Sequence, residues 1–414
     1  MRPVIQLRPH QQRALDRLAL YTKGQVIIPT GGGKTNVAIF DAIREFQKET
    51  AQCIVVVAPR ILLAEQLSSE FLEFITNAKV LHVHSGETHH HSTTKASEIA
   101  NWNQFYTYRN RHRLIFTTYH SLHRVQESGI KVNTIYFDEA HNSVQRNFFG
   151  PTEYFSQEAD RCYFFTATPK HSATISKPGM NDSAVYGQVI CNVPAPELVE
   201  GGFIVPPQVH VKQLTILGKG QVTADRDSEH LLDTIDEHSA DKILICAKAT
   251  KQIVNLVSQT DFCSQLEDRG YSWMYITAKT GAVIDGRKVN REVFFDTLSA
   301  WGKDDSKKFV VLHHSILSEG INVSGLNAVI FMRSMDYIGI SQTIGRVIRL
   351  HKEDARRLQS GEIAPGALHQ YTKSFGLVCI PVFNNVGITT AKKVQAVVDT
   401  VFQQGEPAIS VVKR

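Results

Sequence analysis

Seven consecutive residues, Pro29-Thr30-Gly31-Gly32-Gly33-Lys34-Thr35, carry the most pointed chemistry in this sequence. Consecutive glycines let a backbone curl so that successive N–H groups turn inward toward phosphate oxygens. A helix beginning directly after such a loop adds favourable dipole charge at its N-terminus. Lys34 would then reach the β- and γ-phosphates of a nucleoside triphosphate, and the Thr35 hydroxyl would ligate Mg²⁺. The general phosphate-loop pattern has glycine where Ile28 stands, so the sequence departs from it there.

A second constellation, Asp138-Glu139-Ala140-His141, closes an apolar run over Thr134–Asp138. An acid at a strand end opposite a phosphate loop suits a magnesium ion, usually held through water, and this role falls to Asp138. A second acid one residue on, Glu139, would orient and polarise an attacking water. Alone, a strand-terminal acidic pair is as readily an exposed loop start. Paired with the glycine loop in one α/β domain, it completes a hydrolytic site.

Other features have plainer readings beside the functional one. His82, His84 and His89-His90-His91 could bind metal, but the stretch reads as an exposed loop. Tyr106, Tyr108, Arg109, Arg111, His112 and Arg113 interleave rings and cations; they could stack bases and hold phosphates, or form a solvated loop. His313-His314 ends a strand as cleft lining, and Arg356-Arg357 reads as surface charge on a polar helix.

The elements that must position these residues follow from hydrophobic patterning. Strand-length apolar runs occur at Gln25–Pro29, Cys53–Pro59, Val80–His84, Leu114–Tyr119, Thr134–Asp138 and Cys162–Thr166. Several are apolar nearly throughout, as for parallel strands covered on both faces. Val37–Phe46 has helical spacing, so the alternation predicts βαβ units. From Lys177 to Pro207, Pro and Gly accumulate and predict a linker or domain crossing. Strand-like runs resume at Val209–Leu214, Ile243–Ala247, Trp273–Thr277, Phe309–His313, Ala328–Met332 and Leu377–Phe383, with helices over Ile253–Leu266 and Arg291–Trp301. Two α/β halves are expected, residues 1–200 and 201–414.

Composition sets outer bounds. The 414 residues are 42% hydrophobic and 21% charged, ordinary for a globular chain of two or three domains. The N-terminus turns polar at once and no apolar run is long enough for a membrane span, so neither a signal peptide nor a transmembrane helix is expected. Six scattered cysteines without a Cys-x-x-Cys pair read as reduced thiols of a cytosolic protein. A net charge of +5 is compatible with a polyanionic partner without establishing one.

In this order and spacing the motifs resemble those of the superfamily 2 helicases that carry Asp-Glu-Ala-His or close variants, along nearly the whole chain. The resemblance implies two tandem RecA-like domains, each a mainly parallel sheet flanked by helices, with one ATP and its Mg²⁺ in the cleft between them. Arg8-x-x-Gln11 resembles the adenine-reading motif, and that superfamily does not require glycine at the Ile28 position. Thr30, Gly31, Gly32, Gly33, Lys34, Thr35, Asp138 and His141 are implied as the nucleotide site. Ala58-Pro59-Arg60 with Gln66, and Thr117-Thr118-Tyr119, match motifs that touch a nucleic-acid backbone through Arg60 and Thr118. Thr166-Ala167-Thr168-Pro169 matches the segment that couples hydrolysis to movement.

In the second half, Ser318-Glu319-Gly320-Ile321-Asn322 resembles the fifth motif, implying nucleotide contacts from Glu319 and Gly320 and a strand contact from Ser315. Family members commonly have Thr where Ser315 stands and Asp where Asn322 stands. Gln342-x-x-Gly345-Arg346-x-x-Arg349 resembles the sixth motif. Its arginines, at i and i+3 on one expected helix face, are implied as fingers neutralising the transferring phosphoryl group, with Gln342 beside them.

The implied function is an ATP-dependent helicase or translocase that grips sugar and phosphate. The Ala140-His141 and Thr166-Ala167-Thr168 spellings, with the 200–207 crossing, look more like DNA repair and phage recombination helicases than the RNA branch. That branch resemblance implies DNA, 3′-to-5′ movement and branched substrates. An RNA helicase, a duplex-DNA translocase without strand separation, and a non-hydrolysing ATP-switched clamp remain alternatives.

Overall fold

The computed structural model describes residues 6–86, 88–174, 176–213, 220, 222–277, 280–314, 325–333, 335–382 and 385–412. The chain divides into two compact units, residues 1–194 with 407–414, and residues 195–406. The division falls after Pro194, slightly before the expected boundary, and the C-terminal segment returns to the first unit.

Strands of the first unit are β1 (Lys23–Ile27), β2 (Cys53–Ala58), β3 (Ala78–Val83), β4 (His112–Thr118), β5 (Thr134–Phe137), β6 (Arg161–Thr166), β7 (Lys170–Ser172) and β8 (Val189–Asn192). Its helices are α1 (Pro9–Leu20), α2 (Lys34–Glu45), α3 (Ile61–Leu72), α4 (Ala96–Tyr108), α5 (Leu122–Glu127), α6 (Arg146–Glu158) and α7 (Ser183–Tyr186). Seven strands form one parallel sheet in the order β3-β4-β2-β5-β6-β1-β8. Every residue of β2 is buried, which is why its sequence Cys-Ile-Val-Val-Val-Ala lacks polar alternation. Under the sheet, Asp41 of α2 accepts both Arg161 nitrogens at 2.9 Å and the Tyr136 hydroxyl at 2.6 Å, so α2 is pinned to β5 and β6 by a buried polar network.

The expected linker holds regular structure. After Gly187 turns at φ 65°, Val189–Asn192 pairs with β1 as the edge strand β8, and Arg17 of α1 donates to the Ile190 carbonyl at 2.9 Å.

The second unit contains α8 (Ala195–Glu200), β9 (Pro207–Gln213), α9 (Thr223–His238), β10 (Lys242–Cys246), α10 (Thr250–Gln259), α11 (Phe262–Asp268), β11 (Ser272–Thr277), β12 (Gly281–Ile284), β13 (Arg287–Val289), α12 (Arg291–Lys303), β14 (Phe309–His313), β15 (Ala328–Phe331), α13 (Tyr337–Val347), α14 (Lys352–Gln359), β16 (Gly376–Val382) and α15 (Asn385–Val398). Its eight-stranded sheet runs β13-β12-β11-β14-β10-β15-β16-β9, parallel except for the β11-β12-β13 meander. β17 (Ser410–Val412) belongs to the first unit, where it pairs in parallel with β7.

The single helix expected over Ile253–Leu266 is two, α10 and α11. Thr260 adopts an extended backbone, its hydroxyl donates to the Leu256 carbonyl at 2.6 Å, and it accepts from the Phe262 N–H at 3.2 Å. One side chain thus caps the end of one helix and the start of the next.

Candidate nucleotide and motor site

The glycine loop sits between β1 and α2, as its composition requires. Gly31 and Gly33 hold φ of 89° and 77°, a region that costs a side chain dearly, and Gly33 is the N-cap of α2. A Cβ on Gly33 would lie 2.3 Å from Gln11 Nε2. The outward carbonyls of the loop are held from α1. Arg8 donates to the Gly31 carbonyl at 3.1 Å, and Gln11 Nε2 donates to those of Gly32 and Gly33 at 3.2 Å each. Gln11 Oε1 accepts from the Arg8 N–H at 2.9 Å, closing a capping box at the start of α1. With its carbonyls tied on one side, the loop is free to offer its N–H groups to an anion on the other.

His10, outside the sequence motifs, is buried with its Nε2 2.7 Å from the Gly32 carbonyl. A lone histidine between two motif residues gives no pattern to find. Tyr119, the last residue of the Thr117-Thr118-Tyr119 motif, donates its hydroxyl to the Asp138 carbonyl at 2.8 Å and so fixes the β5 end.

Lys34, Thr35 and Asp138 line one pocket, floored by Val56, Tyr136 and Phe165. Lys34 Nζ lies 3.7 Å from Glu139 Oε1. Burial first, and then the adjacent Glu139 carboxylate, push Asp138 up to about 7 against the opposing pull of Lys34. Glu139 holds the left-handed conformation, φ 45° and ψ 53°, a strained state for a non-glycine residue and one often found at functional sites. Its Oε2 is buried without a hydrogen-bond partner, 3.5 Å from His141 Nδ1. Two close carboxylates, one of them with a buried oxygen that makes no hydrogen bond, and a hydroxyl form a donor set that suits Mg²⁺ and water beside a triphosphate. Thr35 and Asp138 would hold the ion, which supplies charge neutralisation on the phosphates.

His141 joins two motifs. Its Nδ1 is 3.0 Å from Thr166 Oγ1 and 3.4 Å from Thr168 Oγ1, while Thr168 N–H donates to Thr166 Oγ1 at 3.0 Å. Of the expected strand contacts, Arg60 is exposed at the N-cap of α3 and Thr118 is buried at the end of β4. Thr30 is half-buried in the loop.

In the second unit Gln342 and Arg346 lie on α13, but that helix ends at Val347, so Arg349 does not share its face. The Arg349 backbone instead bridges to Ile204, and its carbonyl accepts from the half-buried Lys373 Nζ at 2.8 Å. The strand-like bridge takes Arg349 out of helical geometry, which spacing alone could not show. Arg346 is buried near the ends of β10 and β14, where Cys246 Sγ and His313 Nε2 lie 3.2 Å apart. Burial, then Arg346 and Arg333, hold His313 well below the usual histidine range. Ser315, Glu319 and Gly320 lie outside the described residues.

The histidine stretch is not an exposed loop throughout. His82 and His84 are buried, with His82 Nδ1 3.0 Å from His84 Nε2 and its Nε2 3.0 Å from Ser68 Oγ; burial and then His84 push His82 down to about 4. Tyr106 and Tyr108 lie on α4, and Arg113 is buried in β4, donating to the Asn103 side chain and the Ala51 carbonyl. No helix among the described residues is long and apolar enough to cross a membrane.

Comparison with known proteins agrees with this geometry. The family described as Type III restriction enzyme, res subunit, matches residues 4–171. No curated protein sequence matches the chain. Among solved structures, the ATP-dependent Type ISP restriction-modification enzyme LlaBIII bound to DNA superposes with a TM-score of 0.72 at 16% identity, over 99% of this chain and 31% of that one. A nuclease-deletion mutant of the Type ISP enzyme LlaGI, in complex with a DNA substrate mimic, gives 0.66 at 19% identity, over 98% and 30%. Dbp5 of S. cerevisiae, bound to RNA and ADP BeF3, gives 0.57 at 14% identity, over 97% and 89%. The chain thus spans less than a third of the two restriction enzymes, and each unit has the fold of a RecA-like helicase domain.

Proposed function

We propose that this chain is a superfamily 2 helicase, an ATP-hydrolysing, nucleic-acid-dependent motor that uses Mg²⁺, runs on DNA and moves 3′ to 5′ while separating or remodelling strands; the family match over residues 4–171 and the matched folds support this reading. The observation that carries the hydrolytic part is the Glu139 carboxylate, set by a left-handed backbone with one oxygen free of hydrogen bonds and the other 3.7 Å from Lys34. In that reading Glu139 accepts a proton from the attacking water, and Lys34 holds phosphate oxygens that gain charge. The loop N–H groups orient the triphosphate. Arg8 and Gln11 keep the loop curled from behind. Arg346, Arg349 and Gln342 would contribute charge and hydrogen bonds to the transferring phosphoryl group. Arg60, Thr118 and Ser315 would grip the strand backbone, a salt-sensitive and sequence-indifferent contact.

The His141–Thr166–Thr168 contacts support the coupling role of the segment after β6, since they join the catalytic loop to it directly. A DNA track is supported by the Asp138-Glu139-Ala140-His141 spelling and by two matched structures that hold DNA or its mimic. A second reading is a duplex-DNA translocase that never parts the strands.

Two displacement assays separate the readings. Release of a labelled strand from a fork with a 3′ tail, but not a 5′ tail, supports the 3′-to-5′ helicase. Displacement of a triplex-forming oligonucleotide from intact duplex, with no fork opening, would transfer the assignment to the translocase.

A further inference from the structure

A cluster of metal-ligating side chains lies in the second unit, apart from every motif discussed above. His210 of β9 and Glu237 and His238 of α9 each place one donor atom within 4.8 Å of the others. His210 Nε2 is 3.4 Å from Glu237 Oε1, and the two imidazole rings meet edge to face at 4.4 Å between centroids. Ligands of a tetrahedral zinc ion, at their usual bond lengths, stand about 3.3 Å apart. The His210–Glu237 spacing is therefore that of two donors on one ion.

We propose that His210, Glu237 and His238 form a binding site for a single zinc-class divalent ion, clipping the edge strand β9 to the last turn of α9. Three independent features favour it. His238 Nε2 is buried and makes no hydrogen bond, a desolvation cost that a bound cation in the cluster would offset. Glu237 and His238 end α9, where the unpaired carbonyls of a helix terminus attract positive charge. Lys212, two residues along β9 and on the same face as His210, holds Glu237 Oε2 at 3.2 Å and leaves Oε1 turned to His210. An outer partner of this kind orients a ligating carboxylate. Three protein donors leave the fourth position of the ion to water. Imidazole and carboxylate donors suit zinc better than magnesium or calcium. Because only the folded chain assembles the three ligands, binding stabilises the second unit.

The test uses the full chain, Zn²⁺ and a chromophoric chelator. Wild type should hold one equivalent of Zn²⁺ against the chelator and should melt at higher temperature with Zn²⁺ than with EDTA. His210→Ala and His238→Ala should each lower affinity on the order of a hundred-fold and abolish the zinc-dependent rise in Tm. Glu237→Gln should weaken binding by at least about ten-fold. His90→Ala, in the separate histidine stretch of the first unit, should leave the equivalent intact. Co²⁺ bound to wild type should give the intense visible bands of four-coordinate geometry, a readout that needs no folded variant. Absence of a bound equivalent, or its loss with His90→Ala and not with His238→Ala, would overturn the proposal.

Discussion

His141 Nδ1 stands 3.0 Å from Thr166 Oγ1, linking the loop that carries Glu139 to the end of β6. Both partners are buried, so the contact is shielded from water and exchanges little with it. A change in Glu139's surroundings is therefore felt at Thr166 and Thr168 without an intervening element. His141→Ala should leave ATP affinity within a few-fold of wild type but lower nucleic-acid-stimulated turnover about ten-fold, a loss of about 1.4 kcal/mol. Basal and stimulated ATPase rates check this; an equal fall in both would place His141 in the chemistry instead.

Glu139→Gln keeps the size and removes the base. Turnover should drop by about 10² to 10⁴, with ATP retained on the protein. Filter binding of radiolabelled ATP beside a single-turnover assay gives both quantities. Normal turnover in this variant would refute the assignment of Glu139.

His10 supports the glycine loop through the Gly32 carbonyl, 2.7 Å away. His10→Ala removes that contact at a cost of about 1 kcal/mol. The KM for ATP should rise several-fold while kcat at saturating ATP changes little. A kcat collapse with KM unchanged would contradict a positioning role.

Asp138 makes folding depend on pH. Burial, then Glu139, raise its folded value to about 7, well above that of an unfolded aspartate. Between roughly pH 4 and 7 the folded state keeps a proton that the unfolded state has lost, so stability falls as pH rises through that window. Without nucleotide or Mg²⁺, Asp138→Asn should raise Tm at pH 8, and the gain should vanish near pH 4. Thermal melts across this range decide it; a gain independent of pH would show that the carboxyl is not held protonated.

Much of the first unit could be read from sequence because its strands are apolar on both faces and its glycine loop must follow one of them. The expected strand at Cys53–Pro59 and helix at Val37–Phe46 appear as β2 and α2. What escaped was set by contacts between distant residues. His10, Asp41 and Arg161 are single polar residues whose partners lie far along the chain, so local patterning contains no trace of them. Thr260 splits a helix through one hydroxyl, and Arg349 leaves its expected helix because its backbone meets Ile204. The edge strand β8 hid among prolines and glycines because four residues are too few for a period to show.

Steady-state ATP hydrolysis, measured alone and then with single-stranded DNA, duplex DNA, forked DNA and RNA, tests the DNA-motor assignment most directly. Strong stimulation by one or more DNA forms, weak stimulation by RNA, and loss of the response in Lys34→Ala are the predicted result. A rate unchanged by every nucleic acid, or raised by RNA alone, would contradict it.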